Sequence, residues 1–179
     1  SMTPYFYNIE KQLFSSELLN ELESFVLSKL DSFLEYRGGD GGIKQGNFGN
    51  DYYYSEDLKA IPEIKSFIKN CHLDCFPMIV VHKPNVEVTK HVDSPNKRNT
   101  VIITPIHPAV GYSSTKFWQD DKCVAVCEFN IGSSTFFNTQ QTHSLTNNSN
   151  EYRFNLQLCF NEDFETVLKL YHNNMLFKV

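Results

Sequence analysis

Residues 153–160 read Arg-Phe-Asn-Leu-Gln-Leu-Cys-Phe, so that polar and apolar side chains alternate along the chain. Alternation with a period of two is typical of a β-strand, and it places Arg153, Asn155 and Gln157 on one face. The side chains of the opposite face are all apolar. An arginine and two amides on one face predict that this strand borders a polar cavity inside a barrel, because an isolated charge is costly in an apolar core.

Strand-like segments fill the chain upstream of this stretch. They are short, bounded by turn residues and not interrupted by helical patterns. We predict strands over residues 76–82, 86–91, 99–106, 114–118, 122–128, 134–137, 143–146 and 152–160. Their order favours an antiparallel sandwich or barrel, and the sequence therefore predicts a mainly β jelly-roll core with N-terminal helices.

Helical patterns flank the strand-rich region. Apolar residues recur at three- and four-residue steps from 15 to 34, where Ser15 or Ser16 can cap the helix. A second helix is predicted over 55–70, with Pro62 as an alternative start, and a closing helix over 162–172. We expect a single domain over 1–179, with a helical buttress and a glycine-rich loop in 1–75, the core in 76–160, and a C-terminal helix and tail in 161–179.

The segment 37–50 is rich in glycine and predicts a loop. It lacks the helix-opening pattern and the lysine placement of a phosphate-binding loop, which excludes a nucleotide site of that kind. Two interpretations stay open for this segment: a flexible flap over an active site, or a plain surface loop.

Charge and hydropathy exclude several classes of partner. The formal net charge is −5 and Lys97-Arg98 is the only adjacent basic pair, so nucleic acid is not the expected partner. No apolar run approaches the roughly 20 residues that span a bilayer. Ser1-Met2-Thr3-Pro4 shows no signal-peptide pattern, and we expect a cytoplasmic protein with no membrane partner.

The cysteine content favours a reducing compartment. Five cysteines occur, an odd number, at positions 71, 75, 123, 127 and 159. Two pairs share a C-x3-C spacing, which allows a zinc site. Cysteine is more often buried as a small hydrophobe, so we predict buried thiols, with Cys123 and Cys127 on one face of a strand.

A candidate metal site is formed by His91-Val-Asp93 and His143. Alternation over 86–91 puts Glu87, Thr89 and His91 on the face opposite Val88. His91 and Asp93, at the end of this strand, are spaced to reach one cation, and His143 from a distant strand adds a second imidazole. Two histidines and one carboxylate on one face of an octahedron leave three positions open, which is typical of non-heme iron(II) oxygenases.

Arg153 follows His143 by ten residues and needs an anionic partner if it faces a cavity. A carboxylate that accepts two hydrogen bonds from the guanidinium is the natural one.

The remaining histidines have no partner at a ligand-like spacing, and we expect them to be structural or exposed. They are His72, His82, His107 and His172.

The order His91-x-Asp93, His143 and Arg153 resembles the iron(II)/2-oxoglutarate-dependent oxygenase superfamily. The resemblance covers about residues 76–160. The segment 98–107, Arg-Asn-Thr-Val-Ile-Ile-Thr-Pro-Ile-His, is also similar to the segment after the first motif in prolyl and aspartyl/asparaginyl hydroxylases. The resemblance implies a double-stranded β-helix in which the two histidines and the aspartate bind Fe(II) and Arg153 pairs with the distal carboxylate of 2-oxoglutarate.

The same resemblance implies a dioxygenase that uses O2 and 2-oxoglutarate, releases succinate and CO2, and hydroxylates a peptide or protein residue or a polar small molecule. Asn155 stands where many members have serine and is expected to donate a hydrogen bond to the cosubstrate. Arg98 can approach the cosubstrate or an acidic substrate, or can form a surface salt bridge. Two alternatives stay open: a cupin-type metal dioxygenase that does not use 2-oxoglutarate, and a jelly-roll binding module.

Overall fold

A computed structural model describes residues 3–178. Ser1, Met2 and Val179 lie outside the described residues, and the expectation that the first residues carry no signal-peptide pattern falls partly on them. The described chain is mainly β, as predicted. Its strands are β1 Phe6–Asn8, β2 Ile43–Gln45, β3 Asp51–Tyr54, β4 Cys75–His82, β5 Val86–His91, β6 Thr100–His107, β7 Thr115–Gln119, β8 Lys122–Cys127, β9 Thr135–Asn138, β10 His143–Asn147 and β11 Arg153–Phe160. Its helices are α1 Ser16–Ser28, α2 Leu30–Leu34, α3 Pro62–Lys69 and α4 Phe164–His172.

The strands form two antiparallel sheets. The larger has seven strands in the order β1-β9-β6-β11-β4-β3-β2, and the smaller has four in the order β5-β10-β7-β8. Strand β11 lies between β4 and β6, so that its backbone is hydrogen-bonded on both sides. Consecutive strands alternate between the sheets along much of the chain, and this is the jelly-roll arrangement that the strand pattern predicts.

The outer face of β11 forms the centre of the main hydrophobic core. Phe154, Leu156, Leu158 and Phe160 have no exposed surface, and they belong to one apolar cluster with residues of α1 and α4. The predicted cap of α1 is present, because the Ser15 side chain accepts a hydrogen bond from the backbone of Leu18. The helices therefore cover the outer face of the large sheet and leave its inner face to the cavity. Within residues 3–178, no helix combines the length and the apolar character that crossing a bilayer requires.

Parts of the N-terminal third differ from the prediction. The helix predicted over 15–34 ends at Ser28, and a separate short helix, α2, follows. The helix predicted over 55–70 begins at the alternative start, Pro62, a residue that suits the first turn because it has no amide hydrogen to leave unpaired. The segment 37–50 is not only a loop, because Ile43 pairs with Tyr54 and β2 and β3 form a hairpin.

The thiols are buried except for one. Cys71, Cys75, Cys127 and Cys159 are buried and unbridged, as predicted, but Cys123 is exposed. The expectation that Cys123 and Cys127 share a face is wrong, since the pairing of β7 with β8 shifts register between them. An extra residue at such a bulge reverses the alternation of faces along the strand.

Candidate active site

The three predicted metal ligands converge at one end of the small sheet. His91 and His143 are directly paired across β5 and β10. Asp93 lies just beyond β5, where its backbone amide donates to the carbonyl of Thr139 at 3.0 Å. Its Oδ1 is 3.3 Å from His91 Nε2 and 3.2 Å from His143 Nε2. Within residues 3–178, these are the only three His, Cys, Asp or Glu side chains placed to share a metal ion, and no described cysteine belongs to the group.

A β-bulge in β5 sets the direction of His91. The pairing runs from His143 with His91 to Leu145 with Val88, so that β5 contributes one residue more than β10 over this interval. Simple alternation predicts that Val88 and His91 face opposite sides, and this prediction is wrong. Both side chains line the same cavity, because the extra residue turns His91 inward.

Backbone hydrogen bonds fix the tautomer of both imidazoles. His91 Nδ1 lies 2.7 Å from the carbonyl oxygen of Thr89, and His143 Nδ1 lies 2.7 Å from that of Gln141. A carbonyl oxygen can only accept a hydrogen bond, so Nδ1 carries the proton on each ring. Each Nε2 therefore faces Asp93 Oδ1. It donates a hydrogen bond to the carboxylate when the ring is protonated, and when the ring is neutral its lone pair is available to a metal at this position.

The carboxyl group of Asp93 is held in its ionised form by its neighbours. Although burial opposes its ionisation, hydrogen bonds from His143 and His91 hold the pKa of its carboxyl well below the usual range. The same contact raises the pKa of His91. A proton and a divalent cation thus compete for one place between these side chains, and the donor set of two nitrogens and one oxygen fits Fe(II).

Arg98 acts on the other oxygen of Asp93. Its Nη2 donates to Asp93 Oδ2 at 2.9 Å, and its Nη1 contacts Met78 Sδ at 2.6 Å and Cys159 Sγ at 3.1 Å. The Arg98 side chain is only 17% exposed, so the pair is not a surface salt bridge. Engaging Oδ2 in this way leaves Oδ1 to face the two imidazoles; contact of Arg98 with a cosubstrate stays a prediction.

Replacing Arg98 with glutamine is expected to weaken metal binding about 10- to 100-fold, as loss of a partner that orients a ligand commonly does. Titration of Mn(II), followed by the loss of its free electron paramagnetic resonance signal, measures this affinity. Arg98→Lys keeps the charge and should have a smaller effect, and Arg37→Gln, at an exposed arginine, should have none. An unchanged Mn(II) affinity in Arg98→Gln would exclude the orienting role.

Arg153 lies at the closed end of the same cavity and is 1% exposed. Its Nε and Nη2 donate to the carbonyl oxygen of Ser113 at 3.4 and 3.1 Å, and its guanidinium lies over the Tyr112 ring at 4.3 Å. Within residues 3–178, no acidic side chain forms an ion pair with it, and burial lowers its pKa. A buried guanidinium without an anion is costly, so this end of the cavity is suited to a carboxylate ligand.

His82 belongs to this site and was not identified from the sequence, where it was expected to be structural or exposed. It pairs directly with Arg153 across β4 and β11, and its Nδ1 lies 3.2 Å from Arg153 Nη1. A guanidinium only donates, so Nδ1 accepts and the ring is neutral. Burial and the charge of Arg153 hold the pKa of His82 well below its usual range. The ring therefore positions Arg153 without adding charge.

Asn155 and Gln157 supply further polar groups to the wall of the same cavity. Asn155 Nδ2 donates to the hydroxyl of Tyr112 at 2.9 Å, while Asn155 Oδ1 and Gln157 Oε1 are buried without a hydrogen-bond partner. The cavity measures about 60 Å³. Its walls are formed by Asp51, Tyr53, Val80, His82, Val88, His91, Asp93, Arg98, Val101, Ile103, Thr115, Phe137, Thr139, His143, Leu145, Arg153, Asn155 and Gln157. All six site residues predicted from the sequence line this one cavity.

Solved oxygenase structures resemble this chain. A prolyl hydroxylase from Trichoplax adhaerens, in complex with a peptide fragment of the oxygen degradation domain of hypoxia inducible factor, gives a TM-score of 0.62 at 13% identity, over 88% of this chain and 84% of that one. A Pseudomonas putida prolyl-4-hydroxylase gives 0.54 at 12% identity, over 87% and 91%. A 2OG-Fe(II) oxygenase family oxidoreductase from Burkholderia pseudomallei gives 0.53 at 10% identity, over 87% and 83%.

By sequence, no family model and no curated protein matches this chain. The structural likeness nevertheless extends over 87–88% of this chain. The protein therefore has the double-stranded β-helix fold of the 2OG-Fe(II) oxygenases.

Proposed function

We propose that this chain is an iron(II)- and 2-oxoglutarate-dependent dioxygenase that hydroxylates a peptide or protein residue or a polar small molecule, with release of succinate and CO2. One observation carries the proposal: the three-ligand cluster and the buried, unpaired Arg153 line a single cavity. The cluster alone suits several metal enzymes. The additional requirement for an anion at the closed end is what favours 2-oxoglutarate.

His91, Asp93 and His143 would hold Fe(II), which, together with O2 and the keto acid, supplies the oxidising chemistry that these side chains lack. Arg98 keeps the Asp93 carboxylate directed at the metal position. Arg153 would bind the distal carboxylate of 2-oxoglutarate, and His82 holds the guanidinium in place for it.

The rest of the cavity wall orients the cosubstrate and excludes water. Asn155 can donate a hydrogen bond to bound 2-oxoglutarate. Phe137 and Leu145 present apolar surface beside His143, and a dry wall of this kind strengthens each polar contact inside the cavity. A peptide or protein substrate is supported by the fold shared with the Trichoplax prolyl hydroxylase, which was solved with a peptide. We further propose that the chain forms one oxygenase domain and works in the cytoplasm, because a reducing compartment suits its five unbridged thiols.

An anaerobic titration with Fe(II) and 2-oxoglutarate tests the proposal. We expect a weak visible charge-transfer band that requires both components, and succinate on admission of O2. Metal binding without this band would instead indicate a cupin-type dioxygenase that does not use 2-oxoglutarate. A protein that binds neither component would be a jelly-roll binding module.

A further inference from the structure

Asp51 is a buried carboxyl group in the cavity that the proposed mechanism does not use. It lies at the start of β3 and is 3% exposed. The hydroxyl of Tyr53 donates to Asp51 Oδ2 at 2.8 Å, while Asp51 Oδ1 is buried without a hydrogen-bond partner. A carboxylate can accept several hydrogen bonds, so leaving one oxygen unpaired in the interior is costly unless a ligand supplies the donor.

The strand register places Asp51 relative to the proposed cosubstrate site. Asp51 pairs with His82 across β3 and β4, and His82 pairs with Arg153 across β4 and β11. The three side chains thus form a row across the inner face of the large sheet, with a carboxyl group at one end and the guanidinium at the other. Asp51 is outside the three-ligand cluster, so a role as a metal ligand does not explain it.

The charges of the cavity leave Asp51 without a cation. Arg98 is paired with Asp93, and Arg153 would be occupied by the distal carboxylate of 2-oxoglutarate. Among the described residues, neither arginine nor any lysine forms an ion pair with Asp51. The metal ion would offset the negative charge of Asp51 from a distance, but it cannot donate a hydrogen bond to Oδ1.

We propose that Asp51 is the recognition residue for a protonated amine or a guanidinium on the oxidised substrate. This inference rests on the proposed oxygenase function and narrows its substrate to a basic peptide side chain or a basic small molecule. Tyr53 holds Oδ2 and so directs the remaining oxygen at the ligand. The net charge of −5 adds a favourable long-range field for a cationic substrate.

Gly46, on the hairpin between β2 and β3, packs its backbone closely against Asp51. A Cβ at this position would lie 2.8 Å from Asp51 Oδ1 and 2.5 Å from a Tyr53 ring carbon. Both contacts are closer than a side chain tolerates, so any residue other than glycine would displace the Asp51–Tyr53 pair. The glycine-rich segment therefore packs against the proposed recognition group through Gly46.

A binding comparison with matched probes tests the inference. The protein is loaded with Mn(II) and the inert analogue N-oxalylglycine, and paramagnetic broadening of probe protons is measured for lysine against norleucine and for arginine against citrulline, each as the acetylated amide. We expect the cationic member of each pair to bind roughly 10- to 100-fold more tightly, the range for a hydrogen-bonded charge pair. Asp51→Asn, which keeps shape and removes charge, should reduce that preference to near unity.

Two further variants test whether the preference for cationic probes depends on the Asp51–Tyr53 pair. Tyr53→Phe should diminish the preference by freeing Oδ2, whereas Glu56→Gln, at an exposed acidic residue, should leave it intact. With Fe(II), 2-oxoglutarate and O2, the cationic probes should stimulate succinate release more than the neutral ones. Melting temperatures confirm that each variant is folded.

Three results would overturn the inference. The first is equal binding of cationic and neutral probes by the parent protein, and the second is an undiminished preference for the cationic probe in Asp51→Asn. The third is an equal loss of affinity for both probes in Asp51→Asn, which would indicate that Asp51 only offsets the charge of the metal. Failure of the parent protein to form the Fe(II)–2-oxoglutarate band would count against the proposed function instead. The two failures are distinguishable because the broadening experiment uses neither iron nor 2-oxoglutarate.

Discussion

Replacing His143 with alanine is expected to abolish 2-oxoglutarate-dependent succinate formation. The His143 ring is 6% exposed, its Nδ1 is fixed by the carbonyl of Gln141, and its Nε2 lies 3.2 Å from Asp93 Oδ1. Without it, one nitrogen and one oxygen ligand are left. Loss of a partner that only orients a ligand costs about 10- to 100-fold in metal affinity or activity, so loss of a ligand should exceed about 100-fold. Mn(II) titration and succinate assays measure the two effects separately.

The control for this variant is His72→Ala, which removes an exposed imidazole and should change neither quantity. Because His143 also packs against Phe137, with ring centroids 5.1 Å apart, alanine leaves a void beside the site. His143→Gln fills most of that space, and it should lose succinate formation while keeping its melting temperature. Succinate release from His143→Gln equal to that of the parent would be incompatible with the proposed ligand role.

Much of this site could be predicted because its residues lie on regular strands. Alternation along β11 is unbroken, so Arg153 and Asn155 were correctly placed on a cavity face from their spacing alone. The separation of fifty residues along the chain between Asp93 and His143 did not by itself predict that the two side chains are in contact. The structure brings the two residues together because β5 pairs directly with β10, a pairing that the sequence analysis did not predict.

The features of the site that were not predicted depend on how the strands pair, and the amino-acid sequence does not specify that pairing directly. The bulge in β5 reverses the face of His91 relative to Val88, and the bulge between β7 and β8 exposes Cys123. The local amino-acid sequence does not reveal where a strand contains the extra residue of a β-bulge. The bulge in β5 changes which side chains meet in the cavity.

His82 and Asp51 were missed for the same reason. His82 ends an apolar strand and looked structural, and Asp51 preceded a tyrosine run after a glycine-rich segment. Their importance follows from the register of β3, β4 and β11, which sets both in one row with Arg153. Strands as short as β1 and β2 were missed as well, because three residues are too few to display a period.

Replacing Arg153 with glutamine is expected to raise the KM for 2-oxoglutarate while leaving Mn(II) affinity largely unchanged. The guanidinium is buried and held by Ser113 and His82, so it is already oriented for a carboxylate before the cosubstrate binds. Truncating one partner of a buried charge pair costs about 2–5 kcal/mol. Since about 1.4 kcal/mol corresponds to a factor of ten, the expected rise in KM is roughly 30- to 3,000-fold.

Thermal shifts separate this effect from a loss of folding. In the parent protein loaded with Mn(II), 2-oxoglutarate should raise the melting temperature, because it binds only the folded state. The shift should disappear in Arg153→Gln and be partly kept in Arg153→Lys, which retains the charge but not the paired donors. Arg37→Gln, at an exposed arginine, should behave like the parent. If Arg153→Gln kept both the shift and the KM of the parent, the anion at the closed end of the cavity would not be 2-oxoglutarate, and the case for this cosubstrate would fail even with the metal ligands intact.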